Sequence, residues 1–174
     1  MLPTISTDRL ILRKFTADDT EAVFSAFSVS SFTEPMLIDR QPDYYFAESY
    51  IEEILSGYSN DTCYTWAVAD RNTDVCIGAV SLSDIKNNGA EIGYWITNKS
   101  QGNGYAKEAV RAVVKYAFEY MLLHRLWAKC RIDNAASLRV LKCSDFRLEG
   151  IAKDEVFRKG EYVSIAYLSL ISKN

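Results

Sequence analysis

The sequence is short of several things that common mechanisms need. It holds a single histidine, His124, and three prolines, Pro3, Pro35 and Pro42, in 174 residues. A lone histidine leaves no Ser-His-Asp or Cys-His nucleophilic machinery unless His124 itself supplies the base. It sits in Leu122-Leu123-His124-Arg125, between a helical and a strand pattern, where a helix-end role is expected. The four cysteines, Cys63, Cys76, Cys130 and Cys143, form no Cys-x-x-Cys pair, and with one histidine they make no zinc site. They read as reduced thiols of a cytoplasmic protein, behaving as small hydrophobes. No apolar run approaches the roughly 18 residues that span a bilayer. The start, Met1-Leu2-Pro3-Thr4-Ile5, lacks a basic stretch followed by an apolar core, so no secretory signal is expected. An excess of positive charge is missing too: 20 basic against 23 acidic residues give a net charge of −3. That balance argues against direct nucleic-acid binding.

What is present fits one globular domain over residues 1–174, with 48% hydrophobic and 25% charged residues. Arg9-Leu10-Ile11-Leu12-Arg13 reads as a first strand, and Thr16 with Asp18 and Asp19 as a helix start. A second helix is expected from about Asp43 to Ser56, ended by Gly57. Thr65–Ala69 and Val75–Leu82 make a hairpin around a polar turn, and Glu91–Ile96 is a further strand. The strongest periodicity runs from Gly104 to Met121, where Ala106, Ala109, Val110, Val113, Val114, Ala117, Phe118 and Met121 form one apolar stripe. A strand at Arg125–Ile132, a short helix capped by Asn134, and closing strands at about Phe146–Phe157 and Tyr162–Leu170 follow. Pro35 and Pro42 flank an irregular loop. Hairpins mixed with a crossover helix imply an α+β fold, a mixed sheet with helices on its faces.

The chemically informative segment is Gln101-Gly102-Asn103-Gly104-Tyr105-Ala106, between a strand and the longest helix. Two glycines let the backbone turn tightly, and its amides then face outward at a helix N-terminus. Such a loop suits a phosphate or pyrophosphate; it is equally an ordinary strand-to-helix turn. Neither a P-loop nor a G-x-G-x-x-G fingerprint fits.

The loop resembles the Q/R-x-x-G-x-G/A motif of the GNAT superfamily of acyl-CoA-dependent N-acetyltransferases, here as Gln101, Gly104 and Ala106. The run Thr7–Arg13, the strand Glu91–Ile96, Asn134-Ala135-Ala136-Ser137-Leu138-Arg139-Val140-Leu141 and Phe146-Arg147-Leu148-Glu149-Gly150 are similar, in order, to the RimJ/RimL branch, which modifies ribosomal-protein N-termini. One departure is Asp145, where the branch has a glycine at a left-handed helix exit; aspartate visits that conformation at modest cost.

The resemblance implies a GNAT fold: a mixed, mostly antiparallel sheet of roughly six to seven strands flanked by about four helices. It implies acetyl-CoA as cosubstrate, with backbone groups of Tyr94, Trp95 and Ile96 clasping the pantetheine arm and the amides of Gln101, Gly102, Asn103, Gly104, Tyr105, Ala106 and Lys107 holding the pyrophosphate. Asn134 would bond the pantetheine region, cap its helix, or both. Ser137 falls where a hydroxyl would protonate the leaving thiolate, or would cap or pack. Glu91 is the candidate base, acting through water, against a solvated strand-end carboxylate. No metal is implied. Direct attack of a primary amine in a ternary complex is expected, without an acetyl-cysteine intermediate, and with no membrane partner.

The acceptor expected is a protein or peptide N-terminal α-amine, ribosomal or other. Neutralising such an amine at pH 7 costs about 1 kcal/mol, against roughly 5 kcal/mol for a lysine, and no histidine relay is visible to supply the difference. A polyamine or aminoglycoside acceptor is the alternative: Asp43, Glu48, Glu52, Glu53 and Asp61 accumulate with Tyr44, Tyr45, Phe46 and Tyr50 near the expected acceptor groove, or else form a solvated acidic face. A non-catalytic acyl-CoA sensor needs the same loop and no base. Monomer and homodimer stay equally open.

Overall fold

In the computed structural model, residues 2–29, 33, 42–59 and 63–173 are described; Pro35, the loop 36–41 and Asp61 lie outside them. Eight strands form one sheet: β1 (Ile5–Ser6), β2 (Leu10–Arg13), β3 (Tyr64–Asp70), β4 (Cys76–Lys86), β5 (Gly89–Ile96), β6 (Arg125–Arg131), β7 (Arg147–Arg158) and β8 (Glu161–Ile171). Their spatial order is β1-β2-β3-β4-β5-β6-β8-β7, antiparallel throughout except for the parallel β5–β6 pair. Among the described residues the α-helices are α1 (Thr20–Phe27), α2 (Tyr44–Ser59), α3 (Tyr105–Glu119) and α4 (Ala135–Cys143). The chain order is the expected one with β1 added, a two-residue strand too short to show a period, paired to Ile11 and Leu12.

Both faces of the central sheet are buried, and strand alternation divides the core in two. Trp66, Val68, Val80, Leu82 and Ile92 face the stripe of α3, of which Ala109, Val110, Val113 and Ala117 are fully buried. Ala67, Ala79 and Trp95 point the other way, against Val23 and Phe27 of α1 and Ile51 and Ile54 of α2. Tyr94 and Trp95 therefore belong to opposite faces. α3 is the crossover between the parallel strands, a connection that needs a dozen or more residues.

Two local expectations change. α2 runs to Ser59 instead of stopping at Gly57; a Cβ at Gly57 would lie 2.5 Å from the Cβ of Cys63, so this glycine admits the incoming chain to β3. Thr16 opens a 3-10 turn, Ala17–Asp19, that leads into α1; its amide donates to the Asp19 carboxylate at 2.9 Å. Asp145 does take the left-handed conformation, φ 69°. The amides of Phe146 and Asp145 donate to the carbonyls of Leu141 and Lys142, both at 3.1 Å, closing a Schellman motif after α4. At the far end β7 and β8 form a long hairpin turning at Lys159 and Gly160, both at positive φ. Its register shifts twice, between Leu148 and Gly150 and between Ala152 and Val156.

Two outcomes follow from these ends. Asp145→Gly removes a left-handed L-residue and is expected to raise stability by up to about 1 kcal/mol in urea unfolding; a loss of stability would contradict the conformational reading. Glu149 accepts hydrogen bonds from Nη1 and Nη2 of Arg125, at 2.7 and 2.6 Å, and from the Ser169 hydroxyl at 2.6 Å, which hold its carboxyl down at about 2. A depressed folded-state value stabilises above the ordinary carboxylate value and loses that contribution as pH falls through the folded one. The stability gap between wild type and Glu149→Gln should be constant above pH 5 and shrink between about pH 4.5 and 2; a gap unchanged at pH 3 would refute it.

Candidate active site

β5 and β6 pair only at Gly89–Arg125, Ala90–Leu126 and Glu91–Trp127. Beyond Glu91, β5 stays paired to β4 as far as Ile96, and β6 to β8 as far as Arg131. Their facing edges open into a cleft of about 1060 Å³. Backbone N–H and C=O groups on those edges have no strand partner, so an extended ligand carrying amides can take the place of the missing strand.

The Gln101–Ala106 loop closes one end of the cleft. Gly102 and Gly104 both have φ +80°, a conformation that strains any side chain. The Gln101 amide group donates to the carbonyl of Ile96 at 3.0 Å and to Asn98 at 3.1 Å, tying the loop to the end of β5. Asn103 Nδ2 donates to the carbonyls of Ser100 and Gln101, at 3.2 and 3.1 Å. The first bond into α3 comes from the amide of Glu108, to Gly104. Among the described residues, the amides of Gly102 to Lys107 have no acceptor, whereas the Gln101 backbone amide, expected with them, is taken by the carbonyl of Thr97 at 3.1 Å. Unpaired amides at the positive end of a fifteen-residue helix make an anion seat.

α4 forms the opposite wall. Asn134 Oδ1 accepts the amide of Ser137 at 3.0 Å, so Asn134 caps this helix. The Ser137 hydroxyl lies 2.9 Å from that of Tyr94, which also donates to the Ser137 carbonyl at 3.1 Å. Burial pushes the Tyr94 phenol well above its ordinary value, with the Ser137 bond opposing. It also raises Cys130, whose thiol lies against the same serine.

On the other sheet face, Glu91 sits where the strands part, with its side chain 21% exposed and Lys129 Nζ 3.4 Å away. Phe27, Tyr50 and Trp95 line this end. Trp95 Nε1 donates to the Tyr50 hydroxyl at 3.3 Å, and burial pushes that phenol up to about 12. Tyr167 donates to Glu155 at 2.6 Å on the β7–β8 side of the same opening.

The structure thus brings Glu91, Tyr94, Trp95, Ile96, Gln101, Gly102, Gly104, Tyr105, Ala106, Lys107, Asn134 and Ser137 to one cleft. Asn103, in the same loop, does not line the cleft; its side chain braces the loop from within. Glu48, Glu52 and Glu53 are exposed and do not line it; among the described members of that acidic and aromatic group, only Tyr50 does. Asp43 instead caps α2, accepting the amide of Phe46 at 2.8 Å. His124 lies away from the cleft, its amide bonded to the carbonyl of Asn88. Sequence reasoning missed the Tyr94 side chain, Phe27, Cys130, Lys129, Tyr167 and Glu155. Alternation along β6 places Cys130 with Leu126 and Ala128, but only the β5–β6 register makes that face a cleft wall.

Open amides at the loop, unpaired strand edges and a polar pair midway fit a ligand with a pyrophosphate, an amide-bearing arm and a thioester. The comparisons with known proteins agree. Residues 9–147 match the acetyltransferase (GNAT) domain family. An uncharacterized N-acetyltransferase, YoaA, of Bacillus subtilis is 33% identical over 162 residues, covering 92% of each chain. The ribosomal-protein-serine acetyltransferase of Escherichia coli is 36% identical over 91 residues, 51% of each chain. A GNAT-family acetyltransferase from Bacillus anthracis superposes with a TM-score of 0.88 at 25% identity, over 97% of this chain and 98% of that one. The chain belongs to the GNAT family and is an acyl-CoA-dependent N-acetyltransferase that uses acetyl-CoA.

Proposed function

We propose that this enzyme acetylates the α-amine of a peptide or protein N-terminus, by direct attack within a ternary complex. The observation that carries the reading is the position of Glu91: a carboxylate at the fork of β5 and β6, on the face lined by Phe27, Tyr50 and Trp95. The similarity to a ribosomal-protein-serine acetyltransferase supports the same acceptor class. Acetyl-CoA supplies an activated acyl thioester. The loop amides of Gly102 to Lys107 hold its pyrophosphate, and backbone groups of Tyr94 and Trp95 hold the pantetheine arm. The Ile96 carbonyl is already engaged by Gln101, which weakens its share.

Glu91, oriented by Lys129, takes a proton from the incoming amine through water. Backbone amides on the open strand edge polarise the thioester carbonyl. Ser137, hydrogen-bonded to Tyr94, delivers a proton to the departing thiolate. No step needs a cysteine, although Cys130 and Cys143 both line the cleft. The polycation alternative loses its main support, because the glutamates of α2 face solvent. The four cysteines are free thiols, in keeping with action in the cytoplasm.

Two measurements test this scheme. Glu91→Gln should lower kcat on a peptide N-terminus by about 100-fold at pH 7. The gap should narrow above about pH 9, where the α-amine is already neutral. An unchanged kcat at pH 7 would remove Glu91 as base, and absence of acetylation by the wild type on a panel of N-terminal peptides would overturn the N-terminal acceptor. Ser137→Ala and Tyr94→Phe should lower kcat by similar factors, with the double variant no worse than the poorer single one, since the two hydroxyls act as a unit. Additive losses would separate them.

A further inference from the structure

Arg9 stands one residue before β2, on the run Thr7–Arg13, and takes no part in the chemistry above. Its side chain crosses to the cofactor loop, 94 positions further along the chain, where Nη1 donates to the carbonyl of Asn103 at 2.9 Å. Nε and Nη2 grip Oε2 of Glu108, in the first turn of α3, at 2.7 and 2.6 Å. Oε1 of the same carboxylate accepts the Thr7 hydroxyl at 2.6 Å and the Arg9 amide at 3.0 Å. The guanidinium also lies over the Tyr105 ring, 4.6 Å from its centroid.

This arrangement has a consequence set by peptide geometry. In a planar trans peptide the carbonyl and the following N–H point in opposite directions. Holding the Asn103 carbonyl toward Arg9 therefore turns the Gly104 N–H away from Arg9. Released, that glycine-flanked peptide is free to rotate and present a carbonyl oxygen, which repels phosphate. We propose that Arg9, held by Glu108 and Thr7, is a positioning residue that locks the loop with its amides aimed at the pyrophosphate of the cosubstrate. The proposal rests on the assignment of Gly102 to Lys107 as the pyrophosphate seat.

The test compares two probes that need no amine acceptor: CoA, by calorimetry, and pantetheine, which lacks the pyrophosphate and the nucleotide, by NMR titration. For Arg9→Ala, Kd for CoA should rise about tenfold while Kd for pantetheine stays within twofold. Arg9→Lys keeps the charge but cannot span Asn103 and Glu108 with a planar fork, so it should recover only part of the CoA affinity. Glu108→Gln, which keeps the acceptor oxygen without its charge, should show a smaller loss of the same selectivity and serves if Arg9→Ala does not fold. Equal weakening toward both probes, or full recovery by lysine, would reduce Arg9 to a general structural role. If Gly104→Glu, folded, binds CoA as well as wild type does, the loop assignment itself fails, and the role of Arg9 with it.

Discussion

The cleft exists because β5 and β6 stay hydrogen-bonded for only three residue pairs. Each strand is secured on its outer side, β5 by β4 and β6 by β8, so neither can turn back to close the gap. Two half-sheets with their own helices face each other across unsatisfied backbone. Such groups are costly to bury without partners, and an extended amide-bearing ligand can supply them. The loop follows from the same parting: the chain leaves β5 at Ile96, turns at Gly102 and Gly104, and must start α3 at the mouth of the gap it crosses.

One strand also separates two kinds of chemistry. Successive residues of β5 point to opposite faces. Tyr94 reaches Ser137 of α4, while Trp95 reaches Tyr50 of α2 and Glu91 shares its face. In the proposed reading, cosubstrate groups and acceptor groups approach one thioester position from two sides, fixed by strand alternation. Because that strand is packed by core on both faces, the separation is rigid.

Features carried by local pattern were legible in the sequence. The α3 stripe, the glycine pair in the loop, the Asn134 cap and the left-handed Asp145 each depend on a few neighbouring residues, and each stands where it was expected. Features that depend on register were not legible. The partnership of Tyr94 with Ser137 spans 43 positions, and the bond from Arg9 to Asn103 spans 94. Composition leaves the acidic cluster at α2 open between an acceptor surface and a solvated face; Glu48, Glu52 and Glu53 take the solvated one, because the helix buries Ala47, Ile51 and Ile54 instead. Gly57 has the look of a helix stop, but its lack of a side chain serves the close approach of Cys63.

The two register shifts in the β7–β8 hairpin bear on solubility. β7 is the last strand of the sheet, twelve residues long, with Leu148 and Ile151 about half exposed. A flat edge of that length would template pairing with other chains. Its ladder is instead broken at Gly150 and again before Val156, where Asp154 takes a positive φ and its amide is drawn to the Ser164 side chain. Lys153, Asp154 and Glu155 put charge at the second break. The irregularity in this edge also removes the long flat ladder that a ninth strand would need.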